Sequence, residues 1–185
     1  RGVNMNKLIV ISGPSGVGKG TIVNELLKKG DYALSISCTT RPPRRGEKEG
    51  ISYFFISREK FEAMIEEDGF LEYDNHFDNY YGTPKDFVQK QLQTKNVILE
   101  IEVNGALNAK RSYPEAILIM ILPPNFEELK ARLTGRGTES PEKIEKRLGR
   151  ISYELSLKDK YDFAVVNDDL QRAVAEIENL IKSKQ

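Results

Sequence analysis

The stretch Leu8-Ile-Val-Ile-Ser-Gly-Pro-Ser-Gly-Val-Gly-Lys-Gly-Thr21 sets out three things in order. A short apolar run comes first, then a glycine-rich turn ending in lysine, then a periodic segment with Ile22, Val23, Leu26 and Leu27 on one face. Strand, loop and helix in that order bring successive backbone N–H groups and a helix N-terminus onto a phosphate. Gly13, Gly16 and Gly18 leave room for the chain to wrap an anion. Lys19 adds a point charge that can follow a transferring phosphoryl group. A glycine-rich hairpin turn is the competing reading, disfavoured by the strand before it and the helix after it. The segment therefore predicts a nucleoside triphosphate site built from Gly13, Pro14, Ser15, Gly16, Val17, Gly18, Lys19, Gly20 and Thr21.

One position departs from the full pattern. Ser or Thr directly after the lysine would hold Mg²⁺ through its hydroxyl, but here Gly20 stands there and Thr21 follows. The Lys-Gly-Thr ending resembles that of nucleoside monophosphate kinases. It implies a Mg²⁺ ion held mainly by phosphate oxygens and water, with no direct protein ligand, which suits an ion that sheds water reluctantly.

Working outward, 185 residues suit one domain with a substantial core. Lys plus Arg and Asp plus Glu both number 28, and that balance argues against bulk electrostatic attraction to nucleic acid or membrane. No apolar run approaches ~18 residues and no leader pattern opens the chain, so a cytoplasmic protein is expected. A single cysteine, Cys38, excludes an internal disulfide, and a single histidine, His76, cannot seed a His/Cys metal centre. Cys38 alternates with serines and reads as a small buried residue rather than a nucleophile. Arg1 to Asn4 precede Met5 and are expected to lie outside the natural chain.

Periodicity predicts strands at 7–12, 33–39, 97–103, 116–122 and 162–166. Helices are predicted at 19–29, 58–68, 84–94, 126–134, 141–158 and 168–183. Near-continuous apolar runs such as Ala116-Ile-Leu-Ile-Met-Ile-Leu122 suit strands covered on both faces. The fold class is α/β: a parallel sheet flanked by helices, with its ligand beyond the carboxyl ends of the strands. Residues 35–83, rich in Tyr, Phe, Arg and Gly, break that rhythm and predict an insertion with a small sheet of its own. Ser140-Pro141-Glu142 reads as a helix start.

The insertion opens with Arg41, Arg44 and Arg45 in a loop shaped by prolines and glycines. Arginine forks match phosphate oxygens bidentately. A solvated basic loop balanced by Glu47 and Glu49 is the equal alternative.

Five motifs then fall in one order. They are Gly-Pro-Ser-Gly-Val-Gly-Lys at 13–19, Ser-x-Thr-Thr-Arg-x-Pro-Arg at 37–44, Asn79-Tyr-Tyr-Gly-Thr83, Gly135-Arg-Gly137 and Val166-Asn-Asp-Asp169. Together they resemble the guanylate kinase family from Met5 onward. The resemblance implies one domain over 5–185, with a P-loop kinase core at about 5–34, 84–125 and 156–185. To that core it adds a small mixed α/β GMP-binding insertion at about 35–83 and a helical lid at about 126–155. It further implies that ATP and GMP give ADP and GDP with Mg²⁺, and that no protein partner is obligatory.

Carried across position by position, the resemblance makes Arg41, Arg44, Tyr53 and Tyr81 the donors to the GMP phosphate, with Gly82 beside them. Ser37, Glu72 and Thr83 become the readers of guanine. The chemistry of the base agrees. A carboxylate accepts N1–H and the N2 amino group side by side, whereas adenine turns a lone pair toward it, and such sites discriminate by ~10⁴ or more. Core aromatics and an exposed strand acid are the competing readings for the tyrosines and Glu72. Glu102 matches a residue that assists GMP binding, and Glu100 an outer-sphere partner of Mg²⁺, with solvated acids as the alternative. Arg132, Arg136 and Arg147 resemble lid arginines that close over the triphosphate, and with Lys19 and Arg41 complete the expected catalytic set; each alone would read as a surface charge. Arg150 reads as surface. Asn167 matches an adenine reader, with a helix cap as its competitor. Two rivals remain: an inactive guanylate-kinase-like module that binds phosphopeptides, and a kinase for another nucleoside monophosphate, dGMP included.

Overall fold

The computed structural model describes residues 6–135 and 140–184. The chain begins with β1 (Leu8–Ser12), α1 (Lys19–Leu27) and β2 (Tyr32–Leu34). It then leaves for a second sheet through β3 (Cys38–Thr39), β4 (Phe54–Phe55), α2 (Arg58–Glu66), β5 (Phe70–His76) and β6 (Asn79–Pro84). It returns through α3 (Lys85–Leu92), β7 (Asn96–Glu100), α4 (Val103–Ser112) and β8 (Ile117–Leu122). Helices α5 (Phe126–Thr134) and α6 (Pro141–Ser156), strand β9 (Phe163–Val166) and helix α7 (Leu170–Ser183) follow.

The main sheet is wholly parallel in the order β2-β7-β1-β8-β9. Every residue of β1 has 0% exposure, because helices cover both faces. Ile9 and Ile11 face α1 and α7 through Ile22, Leu26, Val174 and Ile177. Leu8 and Val10, pointing the other way, meet Val88 and Leu92 of α3 and Ala106 and Ala109 of α4. Covered on both sides, the central strands need the unbroken apolar runs that the sequence shows. The glycine loop, Glu100 and Asn167 consequently gather at the carboxyl ends of β1, β7 and β9.

The second sheet, β4-β3-β6-β5, is mixed. Its small core stacks Phe61 of α2 on Phe70 at 4.3 Å and on Tyr80 at 4.7 Å between ring centroids. Gly82 is required there: a Cβ at that point would lie 2.8 Å from the Phe70 ring. A bulge between Phe70 and Glu72 shifts the β5–β6 register. It sets Glu72, rather than Leu71, opposite Thr83.

Two expected strands need correction. The run predicted as one strand at 33–39 divides: β2 pairs with β7, and β3 turns away to pair with β4 and β6. The predicted strand 97–103 ends at Glu100, and α4, unanticipated, begins at Val103. Helix α4 carries a small-residue buried face of Val103, Gly105, Ala106 and Ala109, which gives little hydrophobic period to read. Cys38 is buried, and burial pushes its thiol up to about 11.

Candidate nucleotide-binding site

The loop after β1 folds as an open cradle. Gly18 is the N-cap of α1 with φ 86°, a left-handed backbone that glycine tolerates best. A Cβ there would also strike the Asn167 amide nitrogen at 2.6 Å, and one on Gly13 would meet the Ile121 carbonyl oxygen at the same distance. The cleft of about 380 Å³ beside the loop is lined by Gly13, Pro14, Ser15, Gly16 and Gly18. Lys19, Gly20 and Thr21 complete the loop's wall, and Glu102 and Glu154 face it. Lys19 Nζ donates to the Gly13 carbonyl at 3.3 Å, so its charge lies over the loop. Val17 differs from its neighbours: its side chain is buried in the core, leaving only backbone to serve a ligand.

Asn167 braces this loop. Its side-chain amide donates to the Val17 carbonyl at 2.8 Å. The cap of α7 is Asp169, which accepts from the Arg172 N–H at 2.9 Å. The competing reading of Asn167 as a helix cap is thereby excluded, though its amide is committed to the loop.

A second cavity, of about 430 Å³, opens between the insertion and the main sheet. Ser37, Arg41, Arg44, Tyr53, Tyr81 and Gly82 line it, as do Glu72 and Glu102. Arg41 is only 9% exposed and forms a fork with Glu47, Nη1 to Oε1 at 2.8 Å and Nη2 to Oε2 at 3.0 Å. Glu47 also accepts from the Arg44 N–H at 2.7 Å, and the Arg41 guanidinium holds its carboxyl down at about 2. Arg41 sits 5.3 Å from the Tyr53 ring, which packs edge-on to Tyr81.

Deeper in, Thr83 is fully buried and donates its hydroxyl to Glu72 Oε1 at 2.8 Å. It shapes the cavity through Glu72 rather than by lining it. Burial pushes the Glu72 carboxyl up to about 7; the Thr83 bond opposes that shift, and Asp74 and Glu102 add to it. An acid poised to titrate near neutrality inside a cavity is a functional-site signature.

A third, smaller cleft joins the two. Lys19 borders it on the loop side, Ser37 and Tyr53 on the insertion side, and Glu100 and Glu102 between them. A Cβ on Gly20 would lie 3.7 Å from Glu100 Oε1, so that carboxylate borders the place where a hydroxyl side chain would stand. Among the described residues no three His, Cys, Asp or Glu side chains converge as a metal cage. The donors near the junction are the hard oxygens that Mg²⁺ prefers.

The arginines expected to close over the triphosphate lie elsewhere. Arg132 on α5 pairs with Glu128 at 2.6 Å on the surface, and Arg147 on α6 is exposed. Neither lines the clefts. Arg136 falls outside the described residues. Arg150, read from sequence as surface, is exposed, and its guanidinium pairs with Glu102 Oε2 at 3.6 Å and Glu154 Oε1 at 3.3 Å. Sequence reasoning takes Glu47 only as a balancing charge of the basic loop and passes over Glu154. The first shows only a loop spacing, and the second is marked only by lying four residues after Arg150.

Comparison with known proteins bears on this geometry. A family model described as guanylate kinase matches residues 5–184. A guanylate kinase of Caldanaerobacter subterraneus subsp. tengcongensis is 54% identical over 176 residues, covering 94% of this chain and 85% of the relative. One from Clostridioides difficile is 49% identical, covering 99% and 90%. The crystal structure of guanylate kinase from Anaplasma phagocytophilum superposes with a TM-score of 0.77 at 29% identity, covering 99% of this chain and 88% of that one.

Proposed function

This chain belongs to the guanylate kinase family and transfers a phosphoryl group from ATP to GMP, and on that premise we propose how its two cavities do so. ATP lies along the Gly13–Thr21 loop, with its terminal phosphate at Lys19, and GMP fills the cavity under the second sheet. The observation that carries this is the connecting cleft, whose wall holds Lys19 from one side and Ser37 and Tyr53 from the other. Two nucleotides seated in these cavities present their phosphates to each other.

The GMP phosphate needs little help as a nucleophile, since its second pKa is about 6 and it is mostly dianionic near neutral pH. The protein's contribution is position and charge. Arg41, Arg44, Tyr53 and Tyr81 hold the acceptor phosphate, while Glu47 keeps the Arg41 fork in plane. Ser37 and ionised Glu72 read the base, with Thr83 fixing Glu72 and Glu102 assisting. Backbone N–H groups of the loop and Lys19 take the charge that spreads over the phosphoryl oxygens in flight. Mg²⁺, when bound, neutralises charge between the donor phosphates; Glu100 is the residue that would orient its water shell. Arg132 and Arg147 reach the triphosphate only if α5 and α6 swing over the loop, which excludes water during transfer. A cytoplasmic location belongs to the same proposal.

The test is an acceptor panel of GMP, dGMP, AMP, IMP, CMP and UMP with ATP and Mg²⁺, following ADP release. GMP should be the strongest acceptor, and AMP weaker by about 10⁴. Comparable turnover of AMP would refute the assignment of Glu72.

A further inference from the structure

Gly105 is the third residue of α4 and lines the same cavity as Glu72. Its backbone is not left-handed, unlike that of Gly16 or Gly18. Conformation therefore does not demand glycine, and glycine is among the poorest residues for a helix. Space favours it. A Cβ on Gly105 would lie 3.0 Å from Glu72 Oε2 and 3.4 Å from Glu72 Cδ, with Ile101 Cδ1 closing the other side at 3.4 Å. The helical glycine of α6 behaves differently: a Cβ on Gly149 meets nothing within 4 Å.

Nor can Glu72 move aside at no cost. Its other oxygen is tied to the buried Thr83 hydroxyl at 2.8 Å, and the residue is 9% exposed. A methyl group at position 105 requires the carboxylate to give by a few tenths of an ångström, which strains that tether or tilts its plane. Two parallel donors on a flat base edge need both carboxylate oxygens in one plane, so even a small rotation weakens one of the bonds.

We propose that Gly105 is a positioning residue for nucleotide specificity: its missing side chain lets the Glu72 carboxylate lie against the first turn of α4 in the plane that guanine requires. The inference rests on the reading of Glu72 as the acceptor of the guanine N1–H and N2 amino group.

The experiment compares Gly105→Ala, Glu72→Gln and the control Gly149→Ala by steady-state kinetics with GMP, IMP and ATP. Gly105→Ala should raise the KM for GMP about tenfold, as displaced positioning contacts do. It should lower the preference for GMP over IMP, which lacks the amino group, and leave the KM for ATP within about twofold, as uniform ATP binding is untouched. Gly149→Ala should change none of these. An unchanged GMP/IMP preference in Gly105→Ala, or equal damage to ATP and GMP, overturns the inference. Glu72→Gln separates the two levels: if it spares GMP use, the reading of Glu72 fails. If it harms GMP use while Gly105→Ala does not, only the role of Gly105 fails.

Thermal unfolding covers the case of a poorly folded variant. The cost of Gly105→Ala should vanish in a Glu72→Ala background, where no carboxylate remains to be struck. An equal cost in both backgrounds places the constraint elsewhere and contradicts the proposal.

Discussion

Glu72 and Thr83 face each other across β5 and β6 because the bulge at Phe70–Glu72 removes one residue from the register. The hydroxyl of one donates to the carboxylate of the other at 2.8 Å, in a site where burial has pushed that carboxyl up to about 7. Donation to a carboxylate favours its ionised form, so the hydroxyl opposes the effect of burial. Thr83→Val should therefore move the acid limb of GMP use to higher pH and raise the KM for GMP about tenfold, on the scale of one lost charged hydrogen bond. A pH profile of kcat/KM for GMP against that of the wild type checks both.

The same carboxyl makes stability and ligand binding depend on pH in opposite directions. Because the folded chain holds the Glu72 proton up to about 7 while an unfolded chain releases it near 4.5, the folded state binds more protons in that window. Its contribution to stability therefore falls as pH rises from about 4.5 to about 7. Guanine needs the ionised form, so GMP affinity should drop about tenfold per pH unit below 7. Glu72→Gln should leave only the gentler dependence due to the GMP phosphate, whose pKa is about 6. Calorimetric titrations with GMP between about pH 5 and 8, an interval of about one unit around each of these pKa values, measure the slope.

Much of this was legible in the sequence, and the failures have identifiable causes. The β1–loop–α1 unit reads directly because the strand is apolar on both faces and the loop's glycines are demanded by close backbone contacts, as at Gly13 against Ile121. The passage from β2 to β3 does not read, since a change of sheet between Leu34 and Cys38 leaves the polar-apolar alternation intact. Strand β6 hides behind Gly82 and Pro84, residues that ordinarily end strands. Helix α4 is silent because its core face is built of small residues. Glu72 and Thr83 are named from sequence only through the family resemblance, and their contact with each other and with Gly105, eleven and thirty-three residues after Glu72, arises only when the bulge and α4 are in place.

Glu47 keeps the Arg41 fork oriented in the unliganded protein. Glu47→Gln retains one acceptor and loses the charge, so the KM for GMP should rise about three- to tenfold, the worth of one charge-assisted bond partly replaced by a neutral one. ATP binding should be unaffected, because Arg41 lines the acceptor cavity and neither residue lines the cleft beside the glycine loop. Initial-rate measurements with each nucleotide varied in turn distinguish this from a general loss.

Asn167 spans from the end of β9 to the glycine loop, and its amide bond to Val17 should be worth about 1 kcal/mol. Asn167→Ala should lower thermal stability by that order and raise the KM for ATP while sparing GMP. Equal loss for both nucleotides would show that the brace is not specific to the donor cleft.

Lys19 lies over the loop with its charge toward the junction of the two cavities. Lys19→Ala should reduce kcat by about 10²–10³, as loss of a preorganised donor to transition-state charge does. GMP affinity should change little, and calorimetry with GMP alone checks that half of the statement.

The account depends on the phosphoryl group passing once, straight from ATP at Lys19 to GMP beside Tyr53. Transfer from ATP carrying an isotopically chiral terminal phosphorothioate to GMP reports the number of displacements. Inversion of configuration at phosphorus in the GDP product is the predicted result. Retention would mean two transfers through a covalent phosphoenzyme, and would contradict the meeting of two nucleotides in the connecting cleft.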